Sequence, residues 1–210
     1  VQWQPTEMPE EYTDDILFKL DDLMLCTLKN LAKPELQCIY IDQQGAVSCD
    51  FVSACISTKI KSTMQMLLPP DVQELINARQ CQVLAKEGKL YFKSSDFYIV
   101  TTNPTMTGDT WWEDLRAMIP DITTGTSATP LADSLRRLQL FEDYVSFTEN
   151  RVYAGENFEP FSFTDLAQNK YEIEKLARIL TSATSIADSE GNLVLKNESS
   201  KFLISPMEEA

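Results

Sequence analysis

The order in which strand and helix signals follow one another in the first half of the chain constrains its fold most strongly. A β-forming run over 36–42 and a second over 46–51 flank the turn residues Gln43-Gln44-Gly45. This pattern predicts a β-hairpin in which Gly45 supplies a positive φ angle. Three more strands are predicted over 81–85, 90–93 and 97–102, because turn residues separate these runs.

Apolar residues at helical spacing predict the helices that cover these strands. A first stripe includes Ile16, Leu20 and Leu23, and the helix continues until Pro34 stops it. A second stripe runs over 52–67, and 71–79 form a short third helix. The resulting order, α-β-β-α-α-β-β-β, resembles the small sheets covered by helices in the roadblock, longin and GAF-type families. That resemblance rests on element order and implies a fold only.

The second half of the chain shows mostly helical signals. After a Thr-rich stretch over 101–110, Thr110 and Glu113 fit a capping box and predict a helix that ends near 120. Further helices are predicted from Pro130 to 145 and over 164–182, followed by a terminal hairpin of 193–195 with 202–204. No internal repeat is apparent in the sequence.

The predicted fold class is therefore α+β with two parts. Residues 1–103 form a domain in which helices pack on a small antiparallel sheet, and residues 104–210 form a mainly helical part that packs against it.

The chain contains no histidine among its 210 residues, which excludes several classes of catalysis. A Ser-His-Asp triad, a Cys-His pair and histidine-containing zinc sites cannot be built. Only 6 glycines are present, and no Gly-Lys-Ser/Thr sequence follows the Thr-rich stretches, so a Walker-type phosphate loop is also excluded. Five cysteines without a Cys-x-x-Cys pair predict buried free thiols in an intracellular, cytoplasmic protein.

The formal net charge of −14 points away from polyanionic partners. Such a surface repels phosphate backbones and anionic lipids, so we expect no direct nucleic acid contact and no membrane contact. No apolar stretch is long enough to span a bilayer. The expected partner is another protein, either a second copy in a homo-oligomer or a basic protein, and no cofactor is expected.

Two acidic pairs suggest an alternative. Asp14-Asp15 and Asp21-Asp22 lie seven residues apart, and four carboxylates on one side of the first helix could hold Mg²⁺ or Mn²⁺. An ordinary solvated helix face, with Lys19 as an ion-pair partner, explains the same pattern. An enzyme that uses carboxylates and a divalent metal is thus the alternative function.

The candidate partner-binding residues lie in the second half of the chain. Adjacent Trp111 and Trp112 fit an interaction surface, because tryptophan is enriched at binding hot spots, but a stripe that faces the core explains them as well. The remaining candidates are hydroxyl residues of two loops and a basic pair, namely Thr105, Thr107, Thr123, Thr124, Arg136 and Arg137. The sequence favours a non-enzymatic interaction protein or assembly subunit with an acidic surface.

Overall fold

Antiparallel strands dominate the computed structural model, which describes residues 7–29, 33–104, 110–122, 125–148, 150–162 and 169–207. Within these ranges the chain forms sixteen strands in three sheets, together with five α-helices and one 3-10 helix. Helices separate runs of strands in both halves of the described chain.

The first half contains eight strands and two α-helices. In chain order these are β1 (Asp14–Leu17), α1 (Asp21–Met24), a 3-10 helix (Pro34–Gln37), β2 (Ile39–Asp42), β3 (Gly45–Cys49), β4 (Ser53–Ser57), β5 (Met66–Leu68), α2 (Pro70–Ile76), β6 (Gln80–Lys86), β7 (Lys89–Lys93) and β8 (Tyr98–Thr102). A connector helix, α3 (Trp111–Met118), follows.

The second half repeats the same sequence of elements. It contains β9 (Thr126–Ser127), α4 (Thr129–Leu138), β10 (Tyr144–Thr148), β11 (Arg151–Ala154), β12 (Asn157–Pro160), β13 (Lys170–Glu172), α5 (Ile173–Leu180), β14 (Ser185–Ser189), β15 (Asn192–Lys196) and β16 (Ser200–Ile204). We call β1–β8 with α1 and α2 the first repeat, and β9–β16 with α4 and α5 the second repeat.

Strand pairing shows that the two repeats share one topology. The set β5-β2-β3-β4 of the first repeat corresponds to β13-β10-β11-β12 of the second, and β1-β6-β7-β8 corresponds to β9-β14-β15-β16. The repeats are joined where β4 pairs with β16, which creates an eight-stranded sheet in the order β5-β2-β3-β4-β16-β15-β14-β9. We call this pairing the internal joint.

A short sequence match marks the duplication. Glu87-Gly88 and Glu190-Gly191 form the same two-residue hairpin turn, and all four residues have positive φ angles of 52–84°. Leu90 and Lys93 then correspond to Leu193 and Lys196 at the same distance from the turn. The expectation of no internal repeat is therefore wrong. The shared residues are too few for the repeat to be recognised from the sequence alone.

Apolar residues pack on both faces of the eight-stranded sheet. The inner cluster contains the buried faces of α1, α2, α4 and α5 together with residues of all three sheets. The outer cluster lies on the opposite face of the eight-stranded sheet, where α3 covers Tyr40, Val47, Ile56 and Leu203. The two clusters fix a helix side and a connector side of the molecule.

The first predicted helix is wrong. Residues 14–17 form β1, which pairs with β6, and only 21–24 form an α-helix; residues 30–32 lie outside the described ranges. The predicted helix over 52–67 is also wrong, because β4 and β5 occupy its ends. All residues of β4 are buried, so this strand shows no alternation of polar and apolar residues by which a sequence pattern could identify it.

The mainly helical second part is the main error in the predicted fold class. Helix α4 ends at Leu138, and Tyr144 begins a strand instead of continuing the helix to 145. Strand β13 precedes α5 inside the predicted helix over 164–182, of which 164–168 lie outside the described residues. Tertiary pairing overrides local propensity in these segments.

Other sequence predictions are confirmed. The hairpin of β2 and β3, strands β6 to β8, helices α2 and α3, and the pairing of β15 with β16 all form. The division at 103 and 104 stays a prediction, although the eight-stranded sheet takes strands from both sides of it.

Candidate functional site

Helix α3 lies across the outer face of the eight-stranded sheet through one buried tryptophan. Trp112 is only 6% exposed, and its ring stacks on Tyr40 with centroids 4.1 Å apart and planes 15° apart. Trp111 is half-buried and contacts Trp112 edge-on at 5.6 Å. The pair is thus divided: Trp112 belongs to the core, as one interpretation predicts, and Trp111 stays accessible.

A buried ion pair holds the same helix at its other end. The two Nη atoms of Arg116 each donate a hydrogen bond of 2.8 Å to the carboxylate of Asp42, and one also donates to the Gly45 carbonyl oxygen at 3.0 Å. Burial opposes ionisation of Asp42, but the bonds from Arg116 and from the Gln44 backbone N–H outweigh it and lower the pKa of Asp42. The hairpin turn and the connector helix therefore form one unit.

Glycine is required at position 45 in this unit. Its φ angle is 139°, and a Cβ atom there would lie 2.3 Å from the Ser57 carbonyl oxygen. A side chain would thus push β3 away from β4.

A cavity of about 600 Å³ opens beside α3. Trp111 and Leu115 form its wall on the helix side, and apolar residues that include Cys38, Phe51 and Leu67 form the opposite wall. Its charged lining residues are Lys33, Glu35 and Asp114. A mostly apolar cleft with few charges suits an apolar occupant better than a strongly polar one.

The thiols of this cavity do not favour covalent chemistry. Burial raises the pKa of Cys38 to about 11 and also raises that of Cys49, so both side chains are thiols at neutral pH. All five cysteines are free, and four of them are buried, as the sequence predicts.

The other predicted site residues do not join this surface. Thr105, Thr107, Thr123 and Thr124 lie outside the described residues. The two arginines are on α4, whose buried face belongs to the inner cluster, whereas α3 belongs to the outer cluster. Arg136 forms an exposed pair with Asp133 at 3.3 Å, and Arg137 makes two hydrogen bonds of 2.8 Å to Glu159.

Sequence reasoning missed Asp42, Arg116 and Phe51. The Asp42–Arg116 pair spans 74 positions, so no local pattern reveals it. The predicted capping box at α3 is wrong, because the Thr110 side chain makes no cap hydrogen bond. The helix still begins here, and Glu113 and Asp114 in its first turn interact favourably with the helix dipole.

The acidic pairs proposed as a metal site serve as hydrogen-bond acceptors instead. Asp14 accepts bonds from Ser62 and Thr63, and Asp15 accepts one from Gln80. Asp21 and Asp22 are bonded to Asn77 and Asn197 respectively. Within the described part of the chain, no group of three or more Cys, Asp or Glu side chains could hold a metal ion.

None of the helices in the described ranges has the length and apolar character needed to cross a bilayer.

Comparison with known proteins identifies the fold. No family model matches the chain, and no curated protein matches it by sequence. Among solved structures, DNA polymerase III subunit beta of Borrelia burgdorferi superimposes with a TM-score of 0.71 at 16% identity, over 98% of this chain and 66% of that chain. The same subunit from Pseudomonas aeruginosa superimposes with a TM-score of 0.73 at 11% identity, over 99% of this chain and 69% of that chain. The subunit from Thermotoga maritima superimposes with a TM-score of 0.65 at 13% identity, over 91% of this chain and 62% of that chain.

These matches correct two expectations. The chain has the fold of bacterial DNA polymerase III beta subunits and spans about two thirds of their length, so the predicted sheet-and-helix domain with a mainly helical second part is replaced. The expectation of no direct nucleic acid contact is wrong as well, because the solved structures that share this fold are subunits of a DNA polymerase. Net charge describes the average surface and does not identify the fold.

The two tryptophans should differ in their contribution to stability. Trp112→Ala removes the ring stacked on Tyr40 and should lower the free energy of unfolding by about 3–5 kcal/mol. Trp111→Ala, at a half-buried position, should cost much less, and thermal and urea denaturation measure both. Equal losses in the two variants would contradict the division of the pair into a core and an accessible residue.

The Asp42–Arg116 pair should give a pH-dependent stability difference. Because the folded-state pKa of Asp42 is lowered, its stabilising contribution is present above the unfolded pKa of about 3.9 and is lost as the pH falls through the folded value. Arg116→Leu should therefore cost about 1.5–3 kcal/mol at pH 7 and distinctly less near pH 3.

Urea denaturation at both pH values measures this difference. Arg136→Leu, which breaks an exposed pair, is the matched control and should change stability by under about 0.5 kcal/mol. A cost for Arg116→Leu that does not vary with pH would show that the ion pair is not its source.

Proposed function

We propose that the chain is a non-enzymatic assembly subunit of the sliding-clamp type, whose copies pair head to tail through their free sheet edges to close a ring. One observation carries the proposal. In the internal joint β4 pairs with β16. The counterpart of β4 is β12 and that of β16 is β8, and both are edge strands with no outer neighbour among the described residues. Among the described residues, the other edges, β1 and β5 of the first repeat and β9 and β13 of the second, are unpaired in both repeats. Only β8 and β12 therefore lack a contact that the fold makes elsewhere.

The internal joint also predicts the register of the contact between copies, which we call the second joint. Ile56 lies opposite Lys201 in the internal joint. The counterpart of Ile56 is Phe158, since each lies opposite the third residue of its hairpin's second strand. The counterpart of Lys201 is Tyr98, since they lie opposite the equivalent lysines Lys196 and Lys93. Phe158 of one copy should then face Tyr98 of the next.

Both residues have the exposure expected of an unfilled contact. Phe158 is 49% and Tyr98 is 58% exposed, although each is a large aromatic side chain on an edge strand. Aromatic residues directly opposite each other on antiparallel strands stabilise the pairing. Exposed edge strands with such residues invite pairing with another chain.

Charged side chains flank both edges. Lys86 and Lys89 are exposed on the hairpin next to β8, and Glu156 is exposed in the turn that leads into β12. Because the two edges belong to different surfaces, the contact is heterologous, and such contacts close into rings when the rotation between copies allows it.

The structural neighbours suggest the partners of the ring. One further match is named as a DNA polymerase sliding clamp, from Pseudomonas aeruginosa, with a TM-score of 0.71 at 11% identity. We propose that the ring encloses DNA and serves a DNA polymerase. Because the net charge is −14, we expect enclosure, more than attraction to phosphates, to hold the ring on DNA. A partner contact at Trp111 and an intracellular location remain part of this proposal.

Disrupting either edge should abolish the ring. The wild-type chain should run as one species whose mass is an integer multiple, greater than one, of 23.8 kDa, measured by native mass spectrometry and light scattering. Phe158→Asp and Tyr98→Asp each remove one side of every second joint and should give monomers. Mixed together, they retain one intact pair of edges and should form a dimer that cannot grow further.

A matched control separates this effect from general damage. Leu75 is 54% exposed on α2, away from both edges, and Leu75→Asp should leave the mass unchanged. A monomeric wild-type chain at high concentration would overturn the ring. A mixture of the two edge variants that gives closed oligomers would overturn the head-to-tail arrangement.

Enclosure of DNA should depend on the order in which the DNA ends are blocked. We expect the ring to thread onto a biotin-ended linear duplex and to be retained against competitor DNA when streptavidin is added afterwards. It should not be retained when streptavidin is bound first, and retention should persist at 200 mM salt because few phosphate contacts are involved. Equal retention in both orders would indicate direct binding, and none in either order would contradict enclosure.

A further inference from the structure

The two joints differ in what covers their outer faces. In the internal joint, α3 buries the outer cluster of the sheet. After β16 the described chain continues through Ser205 and Pro206 to Met207, whose N–H donates a hydrogen bond of 2.8 Å to the Lys170 carbonyl at the edge of β13. No helix in the described ranges takes the place of α3 on the outer face of the second repeat.

Aromatic residues occupy the uncovered face. The counterparts of Cys38, Val47 and Ile56, which α3 helps to bury, are Tyr144, Tyr153 and Phe158 in the second repeat. Tyr153 and Phe158 lie 5.7 Å apart, and Tyr144 is 41% exposed. These three positions therefore carry small or aliphatic side chains under α3 and large, aromatic side chains on the uncovered face.

The second joint would extend this face across two copies. Val194 belongs to the outer cluster, and its counterpart on β7 is Tyr91, one position after the shared leucine. Tyr91 and Tyr98 of the next copy would therefore lie beside Phe158. Tyrosines combine an apolar ring with a polar tip, so such a face tolerates water when empty and is suited to binding when filled.

Basic groups surround the aromatic residues. The Arg151 guanidinium lies 4.2 Å from the Phe158 ring centroid, and Lys170 is exposed on the neighbouring β13. Lys89 and Lys93 project from the same face of β7 as Tyr91, because they alternate with the buried Leu90 and Phe92. Two acidic residues lie among them, because Glu172 is opposite Tyr144 and Glu156 is exposed in the turn before Phe158.

We propose that this aromatic and basic face, completed by the next copy, docks an amphipathic helix of another protein that has aromatic or apolar residues on one side and acidic residues beside them. The proposal rests on the ring described above. Helix α3 is the internal example of the occupant: it has two tryptophans on the side facing the sheet and Glu113 and Asp114 in its first turn. Charge complementarity then selects an acidic helix for the basic face.

Single-stranded nucleic acid is the competing occupant, because stacking rings and basic groups also suit bases and phosphates. A helix is favoured since the equivalent face of this same chain is covered by one. The test below includes that alternative as an outcome.

The probe is a fluorescein-labelled peptide with the sequence of residues 110–120 in which Arg116 is replaced by Glu. This change removes the group that recognises Asp42 at the internal joint and leaves a peptide with three carboxylates and no basic side chain. Fluorescence anisotropy with the assembled wild-type ring should show saturable binding. Tyr153→Ser and Arg151→Glu should each weaken it by about tenfold or more, with the ring mass unchanged.

Met118→Ser is the matched control. Met118 is 58% exposed on α3, outside the proposed face, and its substitution should leave peptide binding unchanged. The monomeric Phe158→Asp variant should bind weakly, because it presents only half of the face. Ring mass reports on the proposed function and anisotropy reports on the docking face, so a ring of unchanged mass that binds no peptide would separate failure of the docking face from failure of the ring.

Three results would overturn the docking face. Equal binding of the peptide to wild type, Tyr153→Ser and Arg151→Glu would place its site elsewhere. Binding of a labelled twenty-residue oligo-dT that depends on Tyr153 and Arg151, without peptide binding, would make the face a nucleic acid surface. Loss of the ring in either variant would assign these residues to the joint itself.

Discussion

The antiparallel pairing of β4 with β16 is the contact on which the rest of the structure depends. It joins two repeats of the same topology into one eight-stranded sheet, with Ser57 opposite Ser200 and Ser53 opposite Ile204. A buried ion pair reinforces it, since Lys175 of α5 bonds both to Asp50 in the loop before β4 and to the Leu25 carbonyl oxygen. Without this pairing, neither the inner nor the outer cluster would have a continuous sheet to pack against, and β8 and β12 could not be recognised as unused counterparts.

Elements with local signals could be predicted from the sequence, and elements defined by distant pairing could not. The β2–β3 hairpin has Gly45 in its turn, and β6 and β7 have Glu87-Gly88, so both follow from turn chemistry. In contrast, β1 is a strand because β6 lies beside it, more than sixty positions along the chain. Strand β4 is buried on both faces and therefore has no period that separates it from a helix.

The candidate surface divides in the same way. Adjacent tryptophans were recognisable as a pair, but only the ring of Tyr40 decides that Trp112 is core and Trp111 is accessible. The aromatic face of the second repeat was not recognisable, because Tyr144, Tyr153 and Phe158 are brought together by three strands and look like ordinary core residues in the sequence. Their meaning depends on comparison with the repeat in which the same positions are covered.

The unequal covering of the two joints also determines where an assembled ring would come apart. The internal joint is secured by chain connectivity, by α3 with its Arg116–Asp42 pair, and by the Lys175–Asp50 pair. The second joint, as proposed, would depend on the pairing of edge strands and on the side chains that flank them. An assembled ring would therefore open at the second joint while each subunit stays folded. A protein bound to the aromatic face would hold that joint closed.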